Sequence, residues 1–247
     1  MDVRQFLDST YLKTGDQAGI SEPENTKVVE AAIREAIEFG FKLIMIRPEY
    51  VAMAREMISK AESKVLVGTV IDFPLGKASV EQKLAEAEKA IEDGADDLDF
   101  VIDYSAFKNG DVDKAKAEVL AGTALGLASH KTVKWIIEVA ALDDLQIARL
   151  SALVKKIVVS NFKEIQYPNV FVKSSTGFYQ TQNGVPNGAT KESIVIMLEN
   201  ACPLPVKAAG GVRNFRESEE MIQLGVKRIG TSSAKAIFEQ RTSDSDY

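Results

Sequence analysis

The sequence predicts an α/β fold, a single parallel (β/α)8 barrel of the TIM barrel type, on three observations. Apolar segments that favour strands alternate with amphipathic segments along the whole chain. Several strand segments, such as 65–71, are nearly continuous hydrophobic runs, which is typical of strands buried on both faces of a parallel sheet. Eight strand segments within 247 residues match the strand number and the usual length of this barrel.

The predicted strands are short and rich in branched and aromatic residues, as β structure favours. In chain order they lie at 5–9, 42–46, 65–71, 97–102, 133–138, 170–173, 206–208 and 228–230. The segments between them place apolar residues three and four positions apart, which is helical spacing. The predicted helices lie at 24–39, 48–61, 80–93, 112–128, 142–154, 191–200 and 215–224. Gly40, Gly94 and Gly225 follow three of them and predict their ends.

An open doubly wound sheet is the alternative fold with the same alternation of strands and helices. It is disfavoured because no Gly-x-Gly-x-x-Gly motif follows the first predicted strand. No linker or change in composition divides the chain, so we expect one domain over 1–247. The polar segment 241–247 is expected to be a flexible C-terminal tail.

Composition and charge disfavour several classes of protein. The net charge is −6, whereas binding to nucleic acid or an anionic membrane needs clustered positive charge. No apolar run approaches the roughly 20 residues that cross a bilayer. The first residues also lack the basic and apolar regions of a signal peptide. We therefore expect a cytoplasmic protein that binds neither nucleic acid nor membrane.

The chain contains one cysteine, Cys202, and one histidine, His130. An intramolecular disulfide is impossible, and the usual zinc site of cysteines and histidines cannot be built from them. His130 lies between a predicted helix and a predicted strand, where we expect an exposed turn. Any catalysis must therefore depend on lysines and carboxylates.

Two lysines follow short apolar segments that predict buried strands. Lys173 follows Val170-Phe171-Val172 and precedes small residues that leave room for a ligand. Lys207 follows Pro205-Val206 and precedes two alanines and two glycines. In a barrel, functional groups lie at the C-terminal ends of the strands. Burial and a neighbouring cation both lower the pKa of an ammonium group, so this pair favours nucleophilic amine chemistry.

Asp99 is the predicted partner of these lysines. Side chains alternate faces along a strand, so Asp97, Asp99 and Val101 share one face of the predicted strand 97–102. A buried carboxylate is costly unless a cation is near, and Lys173 and Lys207 are the available cations. One carboxylate then balances one ammonium, which favours the second lysine as a neutral amine. The alternative is a buried salt bridge between Asp99 and Lys207 without a catalytic role.

Three turns rich in glycine and hydroxyl residues follow the late strands, and we call them together the phosphate cradle. They are 176–177 after Lys173, 210–211 before a helix that begins near Asn214, and 230–233 before the helical segment 234–238. Glycine turns and helix N-termini present free N–H groups that favour anions. Barrels of this type often bind phosphate in the loops after strands seven and eight. The sequence therefore predicts a Schiff-base enzyme that acts on a phosphorylated sugar.

These motifs together make the chain resemble the 2-deoxyribose-5-phosphate aldolases, which are class I aldolases. The resemblance covers nearly the whole chain, through the segments 7–13, 70–76, 94–99, 173–177, 207–213 and 230–233. It implies a TIM barrel and reversible cleavage of 2-deoxy-D-ribose 5-phosphate to acetaldehyde and D-glyceraldehyde 3-phosphate. It also implies that no metal or organic cofactor is needed, and that the protein is a homodimer or homotetramer.

The resemblance assigns roles to individual residues. Lys173 matches the Schiff-base nucleophile, Lys207 the second lysine that perturbs its pKa and relays protons, and Asp99 the acid/base group. Residues that match the family's substrate pocket and phosphate site are Asp8, Thr10, Thr176, Gly177, Gly210, Gly211, Ser232 and Ser233. Tyr247 matches a C-terminal tyrosine that assists proton transfer in some members of the family.

Two of the departures from the family affect the substrate site, and two alternatives to the assignment remain. Phe178 stands where some members have a phosphate-binding lysine, which predicts a looser phosphate site. The loop 180–188 is longer than usual, so substrate access is expected to differ. A different Schiff-base aldolase on the same barrel is the first alternative, because a fold alone does not define a substrate. A phosphate-binding barrel without catalysis is the second, but it would not need Lys173 and Asp99.

Overall fold

The computed structural model describes residues 2–182 and 184–240, and over these residues it confirms the predicted parallel barrel. The strands pair in sequence order and β8 closes on β1, which excludes the open doubly wound sheet. They are β1 Leu7–Thr10, β2 Leu43–Ile46, β3 Leu66–Ile71, β4 Asp97–Val101, β5 Thr132–Ile136, β6 Val170–Lys173, β7 Val206–Ala209 and β8 Arg228–Thr231.

Helices follow the strands and cover the outside of the barrel. They are α1 Gly15–Ala18, α2 Glu22–Phe39, α3 Val51–Lys60, α4 Val80–Glu92, α5 Tyr104–Lys108, α6 Val112–Ala128, α7 Asp144–Asn161, α8 Lys191–Ala201, α9 Phe215–Leu224 and α10 Ala234–Phe238. Within the part of the chain described, no helix is both long and apolar enough to cross a membrane.

Local sequence explains where these helices begin and end. The Ser21 and Glu24 side chains form a capping box at the start of α2, and Ser79 and Gln82 do the same for α4. Gly40 ends α2 in the left-handed conformation, with φ of 64°, that glycine adopts without a steric cost.

Several predicted boundaries were wrong, including the end of the fifth strand, which was predicted at 138 and lies at Ile136. The first strand was predicted at 5–9, but Val3–Phe6 forms a 3-10 helix and the strand begins two residues later. The segment 48–61 is a 3-10 helix, Pro48–Tyr50, followed by α3. Helix α7 continues seven residues past the predicted end at Val154, because Ile157 and Val158 lie on its buried face. Helices α1 and α5 are short and were not predicted.

Trp135 lies in the core between the barrel and the helices. Its ring is fully buried and stacks on Phe100 with 4.8 Å between ring centroids. Its indole N–H donates a hydrogen bond to the Thr123 hydroxyl of α6 at 3.0 Å. His130 and Cys202 are exposed, as predicted for His130. The predicted tail 241–247, which includes Tyr247, lies outside the described residues.

Strand register places the charged residues of the barrel opposite each other. Asp99 of β4 pairs in register with Lys134 of β5. Lys173 of β6 pairs with Lys207 of β7, and Lys207 pairs with Arg228 of β8. Residues in register on neighbouring strands point to the same face, so their side chains meet inside the barrel.

Gly126 allows α6 to pack closely on β5, and we expect its replacement to test this contact. In Gly126→Ala the added methyl group would lie 2.2 Å from Cγ2 of Val133. We expect the free energy of unfolding to fall by about 1–3 kcal/mol from overpacking. Urea denaturation followed by Trp135 fluorescence measures this. Ala124→Gln enlarges an exposed residue of the same helix and should change stability by less than about 0.5 kcal/mol. An equal effect of the two substitutions would contradict the packing argument.

Candidate active site

The inside of the barrel holds a set of buried acidic and basic side chains that we call the charged layer. Every member has 7% or less of its side chain exposed. Its members are three carboxylates, Asp8, Asp97 and Asp99, and four basic groups, Lys134, Lys173, Lys207 and Arg228. The barrel interior at this level is therefore ionic rather than apolar.

Asp99 is the centre of the charged layer. Its Oδ1 lies 2.6 Å from Nζ of Lys134. Its Oδ2 accepts hydrogen bonds from both Lys173 and Lys207, each at 2.9 Å. One fully buried carboxylate thus holds three ammonium groups, and two of them share one oxygen atom.

The other two carboxylates complete the pairing of the basic groups. Asp8 contacts Lys207 at 2.6 Å and Arg228 at 2.5 Å. Asp97 contacts Lys134 at 2.7 Å and Arg228 at 3.2 Å. Each basic group except Lys173 therefore contacts two carboxylates.

This pairing decides which basic group is easiest to deprotonate. Four basic groups face three carboxylates, so a fully ionised layer carries one positive charge in excess. Lys173 contacts only Asp99, and it shares that oxygen with Lys207. A buried positive charge without full compensation is costly, so the excess proton leaves most easily from Lys173.

The pKa shifts follow the same logic. Burial, with the nearby charge of Lys207, lowers the pKa of Lys173 to about 8, although Asp99 opposes the shift. Burial also acts on Lys134, but Asp97 and Asp99 outweigh it and raise its pKa. Burial would raise the pKa of Asp99, yet the three lysines hold it well below the usual value. The layer thus combines an ionised carboxylate with one lysine that is partly neutral near neutral pH.

The charge count made from sequence was incomplete. It balanced one carboxylate, Asp99, against two lysines, and it omitted Lys134 and Arg228. Lys134 lies among the apolar residues of β5, and that pattern could have marked it as an inward-facing charge. Arg228 stands at the first position of a predicted strand, where a solvent-exposed residue is equally common.

The structure also places the two residues predicted to line the substrate pocket. Asp8 is fully buried, and its carboxylate is paired within the charged layer. Thr10 lies at the end of β1 and is partly exposed, and its hydroxyl donates to the main-chain carbonyl of Asp8 at 2.8 Å. The role of each residue toward a substrate stays a prediction.

The three turns of the phosphate cradle meet at the same end of the barrel. Gly177, Gly210 and Gly211 all have φ between 77° and 86°, a region that favours glycine. A small cavity is lined by residues of two of these turns, including Gly210, Gly211, Gly230 and Ser232, and by Asn187. Ser232 is exposed, whereas Ser233 is buried at the N-cap of α10.

The long loop that was predicted to affect substrate access packs against the cradle. The Asn187 side-chain amide donates to the carbonyl of Gly177 at 3.1 Å. The N–H of Ala189 donates to the carbonyls of Ala209 and Gly210, at 3.1 and 2.9 Å. Gly188 touches Gly210 so closely that a methyl group on it would lie 2.5 Å from the Gly210 backbone. The end of the loop, at 187–188, therefore forms one wall of the cradle.

Gly230 makes room for the second lysine. A methyl group at this position would lie 3.1 Å from Cε of Lys207. The missing side chain lets Lys207 extend between Asp8 and Asp99, which belong to different strands. Lys207 in turn adds to the positive charge near Lys173.

Phe178, the departure noted beside the cradle, is packed against another aromatic ring. It meets Phe73 edge to face, with 5.1 Å between ring centroids. The Arg47 guanidinium lies 5.4 Å from the centroid of the same Phe73 ring. Phe178 is thus part of an aromatic contact beside the cradle.

A neutral amine beside an ionised carboxylate and a second ammonium can add to a carbonyl group and form an imine. The nearby glycine turns can hold an anionic part of the same molecule. Among the residues described, no group of three or more histidine, cysteine, aspartate and glutamate side chains is arranged to hold a metal ion.

Comparison with known proteins identifies clear relatives. A sequence model of the DeoC/LacD family of aldolases matches residues 10–240. Deoxyribose-phosphate aldolase 1 of Staphylococcus aureus strain MSSA476 is 36% identical over 249 residues, covering 100% of both chains. The deoxyribose-phosphate aldolase of Staphylococcus haemolyticus strain JCSC1435 has the same identity and coverage. The tetrameric deoxyribose phosphate aldolase of Aeropyrum pernix superposes with a TM-score of 0.76 at 28% identity, over 96% of this chain and 89% of that chain.

Replacement of Asp99 tests the electrostatic account of Lys173. Reaction of the parent protein with a small aldehyde and cyanoborohydride should modify Lys173 with a midpoint near pH 8, the pKa of its amine. In Asp99→Asn the midpoint should move to lower pH, because the carboxylate that stabilises the ammonium is lost. Peptide mass mapping across a pH series measures it, with circular dichroism to confirm folding. Asp113→Asn changes an exposed carboxylate and should leave the midpoint unchanged. A midpoint that rises in Asp99→Asn would contradict the account.

Proposed function

This chain belongs to the DeoC/LacD family of aldolases, and we propose that Lys173 carries its reaction by forming a Schiff base with 2-deoxy-D-ribose 5-phosphate. The reaction is the reversible cleavage of this sugar to acetaldehyde and D-glyceraldehyde 3-phosphate. The observation that carries the assignment of Lys173 is its place in the charged layer, where it contacts one shared carboxylate oxygen and loses its proton most easily.

The first steps need the neutral amine of Lys173. Its nitrogen adds to the aldehyde carbon of the sugar to give a carbinolamine, and loss of water then gives an iminium ion. Asp99 stays ionised beside this cation, because Lys134 holds its other oxygen at 2.6 Å. The buried carboxylate therefore stabilises the positive charge that forms on the former lysine nitrogen.

The carbon–carbon bond breaks next. The iminium ion accepts the electron pair of the C2–C3 bond and becomes an enamine, while the C3 carbon leaves as the aldehyde of glyceraldehyde 3-phosphate. Asp99, acting through Lys207 or a water molecule, moves the proton from the C3 hydroxyl and later delivers one to C2, the enamine carbon. Lys207 lies 2.9 Å from Asp99, so a proton can pass between them without rearrangement. Hydrolysis of the resulting imine releases acetaldehyde and the free lysine.

The phosphate cradle binds the other end of the sugar in this proposal. Gly177, Gly210 and Gly211 supply main-chain N–H groups, and Ser232 supplies an exposed hydroxyl. Because Phe178 is packed against Phe73, the cradle depends on main-chain and hydroxyl donors at that position rather than on a lysine. Thr176 belongs to the first turn of the cradle and Ser233 to the third, and both are part of the proposed phosphate site.

The proposed assembly follows from the family resemblance, and the expected location follows from the composition of the chain. A homodimer or homotetramer is proposed, and the tetrameric relative from Aeropyrum pernix supports it. Small phosphorylated sugars and aldehydes are the proposed partners of the site. A cytoplasmic location stays a prediction.

Trapping of the Schiff base tests the function directly. Borohydride reduction in the presence of 2-deoxyribose 5-phosphate should leave an adduct on the peptide that contains Lys173. Lys173→Leu should lose the adduct and at least about 10³-fold of the cleavage rate, because no other amine replaces the nucleophile. Lys64→Met, at an exposed lysine, should keep both. A folded parent protein with no adduct on any lysine would favour a phosphate-binding barrel without catalysis, and turnover of another sugar only would favour a different aldolase.

A negative charge in the cradle tests phosphate recognition. In Ser232→Asp the new carboxylate would repel the substrate phosphate, and KM for 2-deoxyribose 5-phosphate should rise at least about tenfold. KM for unphosphorylated 2-deoxyribose should stay the same, so the ratio of the two constants is the measurement. Ser59→Asp places the same charge on an exposed position of α3 and serves as the control. An equal change for both sugars would contradict a phosphate role for this turn.

A further inference from the structure

Glu138 lies two residues beyond the end of β5, and the proposed mechanism gives it no role. Its side chain is 1% exposed. Its backbone is left-handed, with φ of 58° and ψ of 69°, which costs a residue other than glycine on the order of 1–2 kcal/mol. Such a conformation persists only where the surroundings hold it, and these positions cluster at functional sites.

The main chain on both sides of Glu138 is bonded to the segment that carries the reactive lysine. The N–H of Ile137 donates to the carbonyl of Lys173 at 3.0 Å, and the N–H of Val139 donates to the carbonyl of Ser174 at 2.9 Å. The pairing of β5 with β6 thus continues past the strand ends, and Glu138 lies between its last two bonds.

The Glu138 side chain holds the next turn of the same segment. Its Oε2 accepts the N–H of Thr176 at 3.2 Å and also the Thr176 hydroxyl. That hydroxyl accepts the N–H of Phe178 at 3.0 Å. Gly177 lies between these two residues, so the carboxylate fixes both sides of the first turn of the phosphate cradle.

The second carboxylate oxygen has no such partner. Oε1 of Glu138 is buried and has no hydrogen-bond partner within 2–182 and 184–240. Burial raises the pKa of Glu138 to about 7, although the hydrogen bonds from Thr176 and the charge of Lys173 oppose the shift. The titratable groups that act together with Glu138 are Lys173 on β6 and Tyr104 on α5. Tyr104 has a pKa raised to about 12 by burial and then by Glu138, so it stays neutral over the same range.

We propose that Glu138 is a positioning residue that fixes the Thr176 turn of the phosphate cradle and controls, through its charge, how readily Lys173 loses its proton. This inference rests on the proposed function of Lys173. An ionised Glu138 stabilises the ammonium form of Lys173, whereas a protonated Glu138 does not. One side chain thereby connects the place that holds the phosphate with the amine that attacks the aldehyde.

Two kinds of variant separate the effect of the Glu138 charge from the effect of its hydrogen bond to Thr176. Glu138→Gln keeps the shape and one acceptor oxygen for Thr176 but removes the charge. Glu138→Ala and Thr176→Val each remove the hydrogen bond between the hydroxyl and the carboxylate. Glu164→Gln, at an exposed glutamate, is the matched control. Circular dichroism establishes whether each variant is folded. If Glu138→Ala does not fold, Thr176→Val is used in its place.

The first measurement is the pH dependence of cyanoborohydride trapping of acetaldehyde on Lys173. In Glu138→Gln the midpoint should fall by roughly 0.5 to 1 pH unit, because a nearby negative charge is lost. A carboxylate with a structural role alone would not move this midpoint. An unchanged or raised midpoint in the folded Gln variant would overturn the inference.

The second measurement compares KM for 2-deoxyribose 5-phosphate and for 2-deoxyribose. In Glu138→Ala or Thr176→Val, the phosphorylated sugar alone should show a KM raised about tenfold, as expected for loss of a buried hydrogen bond to a charged group. A constant ratio of the two KM values would also overturn the inference. An inactive parent protein would overturn the proposed function and this inference together, whereas an active parent with unchanged variants would overturn this inference alone.

Discussion

The shared carboxylate of Asp99 is the interaction on which the site depends. It holds three lysines at 2.6–2.9 Å inside the barrel, where none of these groups reaches bulk water to any extent. Removal of one partner from such a buried set usually costs about 3–5 kcal/mol, because the remaining charge is left uncompensated. The same exclusion of water, together with the neighbouring cations, makes the spare proton of Lys173 easy to lose. Stability and reactivity here come from one electrostatic arrangement.

The closed barrel is what makes this arrangement possible. Asp8, Asp99, Lys173 and Lys207 come from four different strands, which a closed sheet brings around one axis. The strands pair in register, so each inward-facing charge lies opposite a defined neighbour. The loops after the same strands carry the glycine turns, which places anion-binding groups beside the amine. The topology of the barrel therefore sets the distance between the Lys173 amine and the anion-binding turns.

Most of the fold and the centre of the site could be predicted from sequence, for identifiable reasons. Continuous apolar runs such as 65–71 mark buried parallel strands, and the small residues after Lys173 and Lys207 mark a ligand site. Helix boundaries were less certain because Ile157 and Val158 favour strands locally but are buried by packing on a helix. The pairing of Lys134 and Arg228 depends on strand register, which connects residues far apart in the chain and leaves little local trace. Glu138 was missed because its signal is a backbone angle and an unpaired oxygen, and neither is visible in a sequence.

Gly230 has a consequence beyond the space it provides. Because any side chain there would press on Cε of Lys207, this uncharged residue determines where a positive charge is held. A small apolar substitution at Gly230 would therefore act like a change of charge, since it would move the Lys207 ammonium relative to Asp8 and Asp99. The space left by the missing side chain at Gly230 therefore helps to set the position of the Lys207 ammonium group, to which the proposed mechanism assigns a proton relay.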